Sequence, residues 1–337
     1  MDALWHQRSL ASMVAAVSRL HVLRAGIRLG LFEALREPRG AEDLAQRLGL
    51  APDLVGSWLR AAAAHGLLRG GPGSGYRVGG FARWLVDAPE SESLHAWLEQ
   101  AVKSHSPALE QLPELMKGAE RLSAGGPEEA RRVAEASRVV EPRALAALAR
   151  VPGARGAKRV LDVGCGFGTY LTQWLLSHRD ASGLGVELDP AVAEEARRRL
   201  QEAEVSRRGE VRVGDFMTMD LPPGRFDLIL LNNNLYYFPP AQHVALFRRT
   251  LEHLNEGGVL AIQILVVGEG ALARTAGLSA LSASFDLFLR CHAHMDGLTD
   301  PALLHAALKE AGFAASGEKS IFPGGSVRYV WARAGKS

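Results

Sequence analysis

Apolar positions in the first part of the chain recur at spacings of three and four. Leu10, Met13, Val14, Val17 and Leu20 fall on one face of a helix predicted over residues 8–35. Gly26 and Gly30 border a further helical run, RAGIRLGLFEAL, and Pro38, Arg39 and Gly40 break the pattern. AEDLAQRLG reads as a short helix closed by Gly49, and Pro52 opens another, PDLVGSWLRAAAAHGLL. The glycine-rich segment GGPGSG at 70–75 separates LLR from YRV, which predicts a hairpin. Three helices followed by a hairpin is the order of a winged helix. Residues 91–150 are helical in pattern, broken at Pro107, Pro113 and the GGP of 125–127. Glu128 and Glu129 then suit a helix start. VPGARGA, at 151–157, reads as a turn or loop.

From residue 158 the texture changes. RVLDVG, GLGVEL, VRVGDF, FDLILLNNN and VLAIQILVV are short apolar runs. Helical stretches such as PAVAEEARRRLQEA and AQHVALFRRTLEHL separate most of them. This alternation predicts a parallel sheet covered on both faces, with ligands bound beyond the C-terminal strand ends. A helix, PALLHAALKEAG, precedes a final strand pair read as SIF and VRYVWARA around PGG.

Composition narrows this picture in a few places. The 337 residues suggest about two domains. With 47% hydrophobic and 23% charged residues, the expectation is a globular cytoplasmic protein. No continuous apolar run of about 18 residues is visible, so no membrane span is expected. Net charge is +2, too small to imply a nucleic-acid or membrane partner. Residues 1–95 carry 11 Arg against 9 Asp and Glu, and the would-be recognition helix has one arginine, Arg60. A DNA-reading helix needs more donors, so the winged-helix pattern points to packing or dimerisation instead. Cys165 and Cys291 are too few for a disulfide framework or a structural zinc site.

The chemistry concentrates at LDVGCGFGTYL, residues 161–171. A strand end carrying Asp162 runs into Gly164, Gly166 and Gly168, which take the backbone through a tight turn into a helix. The spacing is G-x-G-x-G, unlike the G-x-G-x-x-G of dinucleotide folds. Glu187 ends the next strand, where an acid accepts both ribose hydroxyls in doubly wound folds, though alone it would read as a solvated charge. Asp189-Pro190 reads as an N-cap with proline at the first helical position. Asp215 and Phe216 end the third strand, suited to an adenine amino group and its ring. Asn232 ends the fourth.

LDVGCGFG, VELDP, GDF and DLILLN resemble the successive motifs of class I S-adenosylmethionine (SAM)-dependent methyltransferases. The N-terminal pattern and the C-terminal AALKEAGF are similar to the O-methyltransferases of secondary metabolism. The resemblance spans nearly the whole chain. It implies a mostly parallel seven-stranded Rossmann-like sheet behind a mainly helical winged-helix dimerisation domain. The expected division is 1–95 for dimerisation, 96–150 as a helical linker contributing to the acceptor pocket, and 151–337 for catalysis. The resemblance further implies a homodimer, SAM as methyl donor with S-adenosylhomocysteine as product, and a small-molecule acceptor. Asp162, Gly164, Gly166 and Gly168 would line the methionine part, Glu187 the ribose, and Asp215 with Phe216 the adenine.

One departure concerns the base. Many relatives carry a histidine shortly after the fourth strand, where this chain has Tyr236 with Tyr237 beside it. An ordinary tyrosine is a poor base at neutral pH, so Tyr236 is expected to orient the acceptor or line its pocket. His292 and His294 in RCHAHMDG share one side if that segment is extended, and are further base candidates; the alternative is an exposed loop. No third ligand for a metal is evident. His105 is a weaker candidate on the linker helix. Trp97, Tyr236, Tyr237, Phe238, Phe285 and Phe288 could shape a flat acceptor pocket or belong to the core. The reaction expected is SN2 transfer to oxygen of an aromatic or polyketide-like compound. N- or C-methylation, or non-methylating chemistry in the same fold, are the alternatives.

Overall fold

The computed structural model describes residues 2–123, 127–221, 225–267 and 277–335. The chain divides into two compact units, Met1–Glu99 and Gln100–Ser337. The predicted break at 125–127 lies largely outside the described residues.

The first unit holds α1 (Asp2–Arg28), α2 (Leu31–Ala34), α3 (Ala41–Leu48) and α4 (Pro52–Ala64). The hairpin of β1 (Leu68–Gly71) and β2 (Gly75–Val78) follows, then α5 (Gly80–Asp87) and α6 (Ser91–Gln100), whose last residue crosses the division. The helix predicted through residue 35 ends at Arg28, because Gly30 takes φ +66° and turns the chain into α2. Gly26 lets α1 lie against its neighbours: a Cβ there would collide with the rings of Phe32 and Trp58, and Trp58 Nε1 donates to Val22 O at 2.9 Å. Phe32, Leu35, Leu44, Leu59 and Leu67 are completely buried in this core.

The predicted stripe on α1 exists, but it faces outward in the chain: Leu10, Met13, Val14 and Val17 are all at least 60% exposed. Leu4–Arg28 is long and apolar enough to cross a membrane by length and composition, with mean hydropathy 1.3. Arg8 and Arg19 interrupt the run in the sequence, yet the average over a window of that length stays apolar.

The second unit opens with a π-helical turn, Ala101–His105, followed by α7 (Ser106–Glu110), α8 (Leu112–Met116), α9 (Pro127–Ser137) and α10 (Glu141–Leu148). Seven strands come next: β3 (Arg159–Val163), β4 (Ser182–Glu187), β5 (Gly209–Val213), β6 (Phe226–Asn232), β7 (Leu254–Leu265), β8 (Ala315–Ser320) and β9 (Val327–Arg333). Their order in the sheet is β5-β4-β3-β6-β7-β9-β8. The first five are parallel, and β9 and β8 join antiparallel at one edge. Helices α11 (Thr169–Ser177), α12 (Pro190–Glu202), α13 (His243–Glu252), α14 (Leu278–Arg290) and α15 (Pro301–Ala311) complete the unit.

Alternation along the strands builds two cores. Val160, Leu228, Leu230 and Val259 pack on one face with Leu171 and Trp174 of α11. Leu161, Ile229, Leu231 and Leu260 pack on the other with Phe247 of α13 and Leu304 of α15. With both faces covered, the strands read as unbroken apolar runs. Each such side chain contributes about 1.5–3 kcal/mol by leaving water. The last strand pair differs from its prediction. The strand before the turn is Ala315–Ser320 rather than SIF, and its half-exposed edge position lets it be polar, which hid it from a search for apolar runs.

Candidate active site

The strand order reverses beside β3, and the crevice there collects the C-terminal ends of β3, β4, β5 and β6. Gly164, Gly166 and Gly168 all have positive φ, at 61°, 53° and 69°. They differ in what surrounds them. A Cβ on Gly164 would collide with Asn234 Nδ2, and one on Gly168 would crowd Ala196 of α12. A Cβ on Gly166 would meet nothing within 4 Å, so this backbone borders open space.

Glu187 is held by the backbone around it. Its Oε2 accepts from Gly166 N at 2.9 Å, and its Oε1 accepts from Leu188 N at 2.9 Å and Asp189 N at 3.1 Å. The carboxylate is therefore fixed beside the glycine turn before any ligand arrives. Asp189 caps α12 as predicted, accepting from Ala191 N and Val192 N. Asp215 stands two residues past β5, exposed, with Oδ1 accepting from Met217 N at 2.8 Å. Gly214 N donates to Glu187 O at 2.9 Å, which ties the two strand ends together. Phe216 does not border this crevice openly. It is 3% exposed in the core, where Arg249 lies over its ring and donates to its carbonyl.

Asp162 is buried, and neither carboxylate oxygen has a well-aligned hydrogen-bond partner among the described residues. Burial pushes this carboxyl up to about 7, with Glu187 and Glu141 adding to the rise while Asn232 nearby opposes it. Asn232 Nδ2 is likewise buried, without a well-aligned partner among the described residues, and its side chain stands close enough to Asp162 to favour the carboxylate. Buried polar atoms normally find partners, so the loosely paired carboxylate at these adjacent strand ends fits a ligand with an ammonium group. Together with the open Gly166 and the fixed Glu187, it fits SAM.

A buried network that the motifs did not reveal supports these strand ends. Tyr170 OH donates to Gln263 Oε1 at 2.7 Å, and Gln263 Nε2 donates to Asn233 Oδ1 at 3.0 Å. Tyr329 OH donates to Asn232 Oδ1 at 3.2 Å. The network holds Asn233 at φ +53°, strained for a non-glycine residue, and so turns the chain after β6. The signal was present: Gln263 is the one polar residue in VLAIQILVV.

Asn234 continues the turn by donating from Nδ2 to Val163 O, which joins the glycine loop to the segment carrying Tyr236. Tyr236 lies in a 3₁₀ turn, Leu235–Tyr237, against Tyr237 and edge-on to Phe285 at 6.1 Å. Burial and the Tyr237 hydroxyl push its own hydroxyl well above the ordinary range, which leaves it a hydrogen-bonding group rather than a base.

The structure separates His292 from His294, because the segment is not extended. The chain turns there, bridged to Leu122: Leu122 N donates to Cys291 O and Ala293 N donates to Leu122 O. His292 is buried on Phe288, with Nδ1 2.9 Å from the Phe288 carbonyl. His294 is exposed at φ +66°. His105, the weaker candidate, instead stands inside the aromatic group, its ring 4.3 Å from that of Phe288.

Comparison with known proteins gives the same outline. Residues 160–258 match the methyltransferase domain family, and residues 12–88 match the O-methyltransferase dimerisation domain. The chain is similar to 3-hydroxy-5-methyl-1-naphthoate 3-O-methyltransferase of Streptomyces sahachiroi, 28% identical over 274 residues and 77% of each chain. It shares its fold with an O-methyltransferase family protein from Burkholderia thailandensis, with a TM-score of 0.79 at 21% identity over 98% of both chains. Human N-acetylserotonin methyltransferase in complex with SAM gives a TM-score of 0.75 at 18% identity, again over 98% of both.

Proposed function

We propose that this chain, a SAM-dependent methyltransferase carrying an O-methyltransferase dimerisation domain, methylates an oxygen of a small aromatic or polyketide-like natural product. The observation that carries the reading is the crevice. Buried acceptors on Asp162 and a backbone-fixed Glu187 border one open glycine turn, an exposed Asp215 follows the strand end tied to Glu187, and aromatic side chains begin four residues after the end of β6.

In this reading Asp162 takes the amino group of the donor's methionine part, Glu187 the ribose hydroxyls, and Asp215 the adenine amino group. Asn232 keeps Asp162 company at the adjacent strand end. When bound, SAM supplies a methyl carbon activated by its sulfonium for in-line attack. The chain's own contribution is placement: it holds the acceptor against that carbon and keeps water away. Such positioning is worth roughly 7–11 kcal/mol in favourable cases. Tyr236 orients or lines, since its raised hydroxyl does not take protons at neutral pH. The Streptomyces sahachiroi relative is named for a hydroxylated naphthoate, which agrees with a flat acceptor among rings.

We further infer a cytoplasmic homodimer formed through the first unit. The outward stripe of α1 supports it, being an apolar surface that a second copy would cover. Replacing Met13 and Val17 with glutamate should then shift the sedimentation of the protein toward monomer.

The direct experiment is calorimetric titration with SAM, followed by measurement of S-adenosylhomocysteine released with a hydroxynaphthoate. Binding at one site per chain and release that depends on the free hydroxyl support the reading. Release with an amine or carbon acceptor only would move the assignment to N- or C-methylation. No SAM binding by the folded protein would end it.

A further inference from the structure

His105 has no task in the reading above, yet it is a polar ring set among aromatic side chains. It ends the π-helical turn Ala101–His105, a backbone form that concentrates at functional sites. Its ring lies 4.3 Å from Phe288 and 5.8 Å from Phe285, centre to centre. Phe285 meets Tyr236 in turn, and Tyr236 follows Asn234, which is bonded to the end of β3. The cluster therefore adjoins the strand ends that carry the donor residues.

Within this apolar setting the His105 Nε2 is buried and has no hydrogen-bond partner among the described residues. The preceding residue repeats the observation, since Ser104 Oγ is also buried without a partner among them. Two adjacent orphans on one turn are unusual in a folded interior. The other candidates nearby are committed elsewhere. His292 uses Nδ1 on the Phe288 carbonyl, and His294 is exposed.

We propose that His105 Nε2 holds the hydroxyl of a flat aromatic acceptor whose ring lies among Phe285, Phe288 and Tyr236. A hydroxyl is the group that fits, because it both donates and accepts and so satisfies either imidazole tautomer. Burial, with His292 close by, lowers His105 to about 4, so the ring is neutral at pH 7 and carries no charge that a phenol would have to offset. His105 thereby selects hydroxylated rings over bare ones, and it sets which edge of the ring faces the donor side. The link to methyl transfer rests on the methyltransferase reading; the binding of a phenol does not.

The test compares 2-naphthol with naphthalene, titrated into the full-length protein without SAM and followed by fluorescence. The wild type should prefer 2-naphthol by about tenfold or more, the scale of one buried hydrogen bond. His105→Leu should lose the preference while still binding naphthalene, and His105→Gln, which keeps a hydrogen-bonding end, should recover part of it. Equal affinities in the wild type, or a preference retained in His105→Leu, would overturn the proposal. Should His105→Leu fail to fold, the ¹⁵N resonances of wild-type His105 decide: 2-naphthol must shift Nε2 and naphthalene must not, and an unmoved Nε2 overturns it. A SAM titration on the same wild-type sample reports on the donor site separately.

Discussion

The donor and acceptor sides proposed for the crevice are built in different ways. The donor side is made of backbone and short polar side chains at four strand ends. Glu187 is fixed by three peptide N–H groups, and the glycine turn is fixed by φ angles that other residues resist. The acceptor side is made of rings from segments far apart in sequence: His105, Tyr236, Phe285 and Phe288. A backbone-built site recognises the one molecule it was shaped for, and it changes little without breaking the fold. A side-chain-built site changes its ligand by exchanging rings. The contrast explains why the donor can be inferred from motifs while the acceptor cannot.

Substitutions that break the donor side should have the largest effects. Gly164→Val puts a β-branched residue at φ +61° and drives its Cβ into the Asn234 amide that links the two sides. The backbone strain alone costs about 1–3 kcal/mol. SAM binding should be lost in calorimetry, and the melting temperature should fall.

Glu187→Ala removes a charged acceptor while leaving the apolar core untouched. Hydrogen bonds to charged groups are worth about 1.5–3 kcal/mol, so SAM affinity should drop about 10–100-fold. Unchanged affinity would show the ribose assignment to be wrong.

A milder effect should come from pH. Asp162 is raised to about 7 from its usual 3.8. Between those values the folded protein keeps a proton that the unfolded chain has released, so stability declines as pH rises across that window. The same proton must leave before the carboxylate can take an ammonium. SAM affinity should therefore weaken as pH falls below about 7, and Asp162→Asn should remove that slope in titrations run at several pH values. His105 runs the other way. Lowered to about 4, it adds stability as pH rises from about 4 toward 6.5.

The smallest change sharpens the comparison from the acceptor side. Tyr236→Phe keeps the ring and removes a hydroxyl that interacts with the Tyr237 hydroxyl. SAM affinity should stay as it is while turnover or KM for the acceptor moves. A loss of SAM affinity would mean that the two sides are not separable.

Much of this was legible in the chain. The strand–helix alternation, the G-x-G-x-G turn, Glu187 one strand later and the Asp189 cap are local signals. Each follows from a few neighbouring residues and the dihedral or hydrogen-bonding needs of a turn. Phe216 was less legible. The sequence puts it beside Asp215, but side-chain direction sends it into the core under Arg249. The place of His292 and His294 was open for a related reason: an H-x-H spacing brings side chains together only in an extended chain, and the backbone turns at this segment.

What the sequence determined by itself is the order of elements and the donor-binding turn, because helix and strand periodicity and glycine φ angles are properties of adjacent residues. The tertiary structure alone decided the rest. It brought Gln263, Tyr170 and Tyr329 together behind Asn232, buried the Asp162 carboxylate, and set His105 among the rings of α14. Those outcomes depend on how the chain is packed around buried atoms. Desolvation and the pairing of distant polar groups arise only once the core has closed.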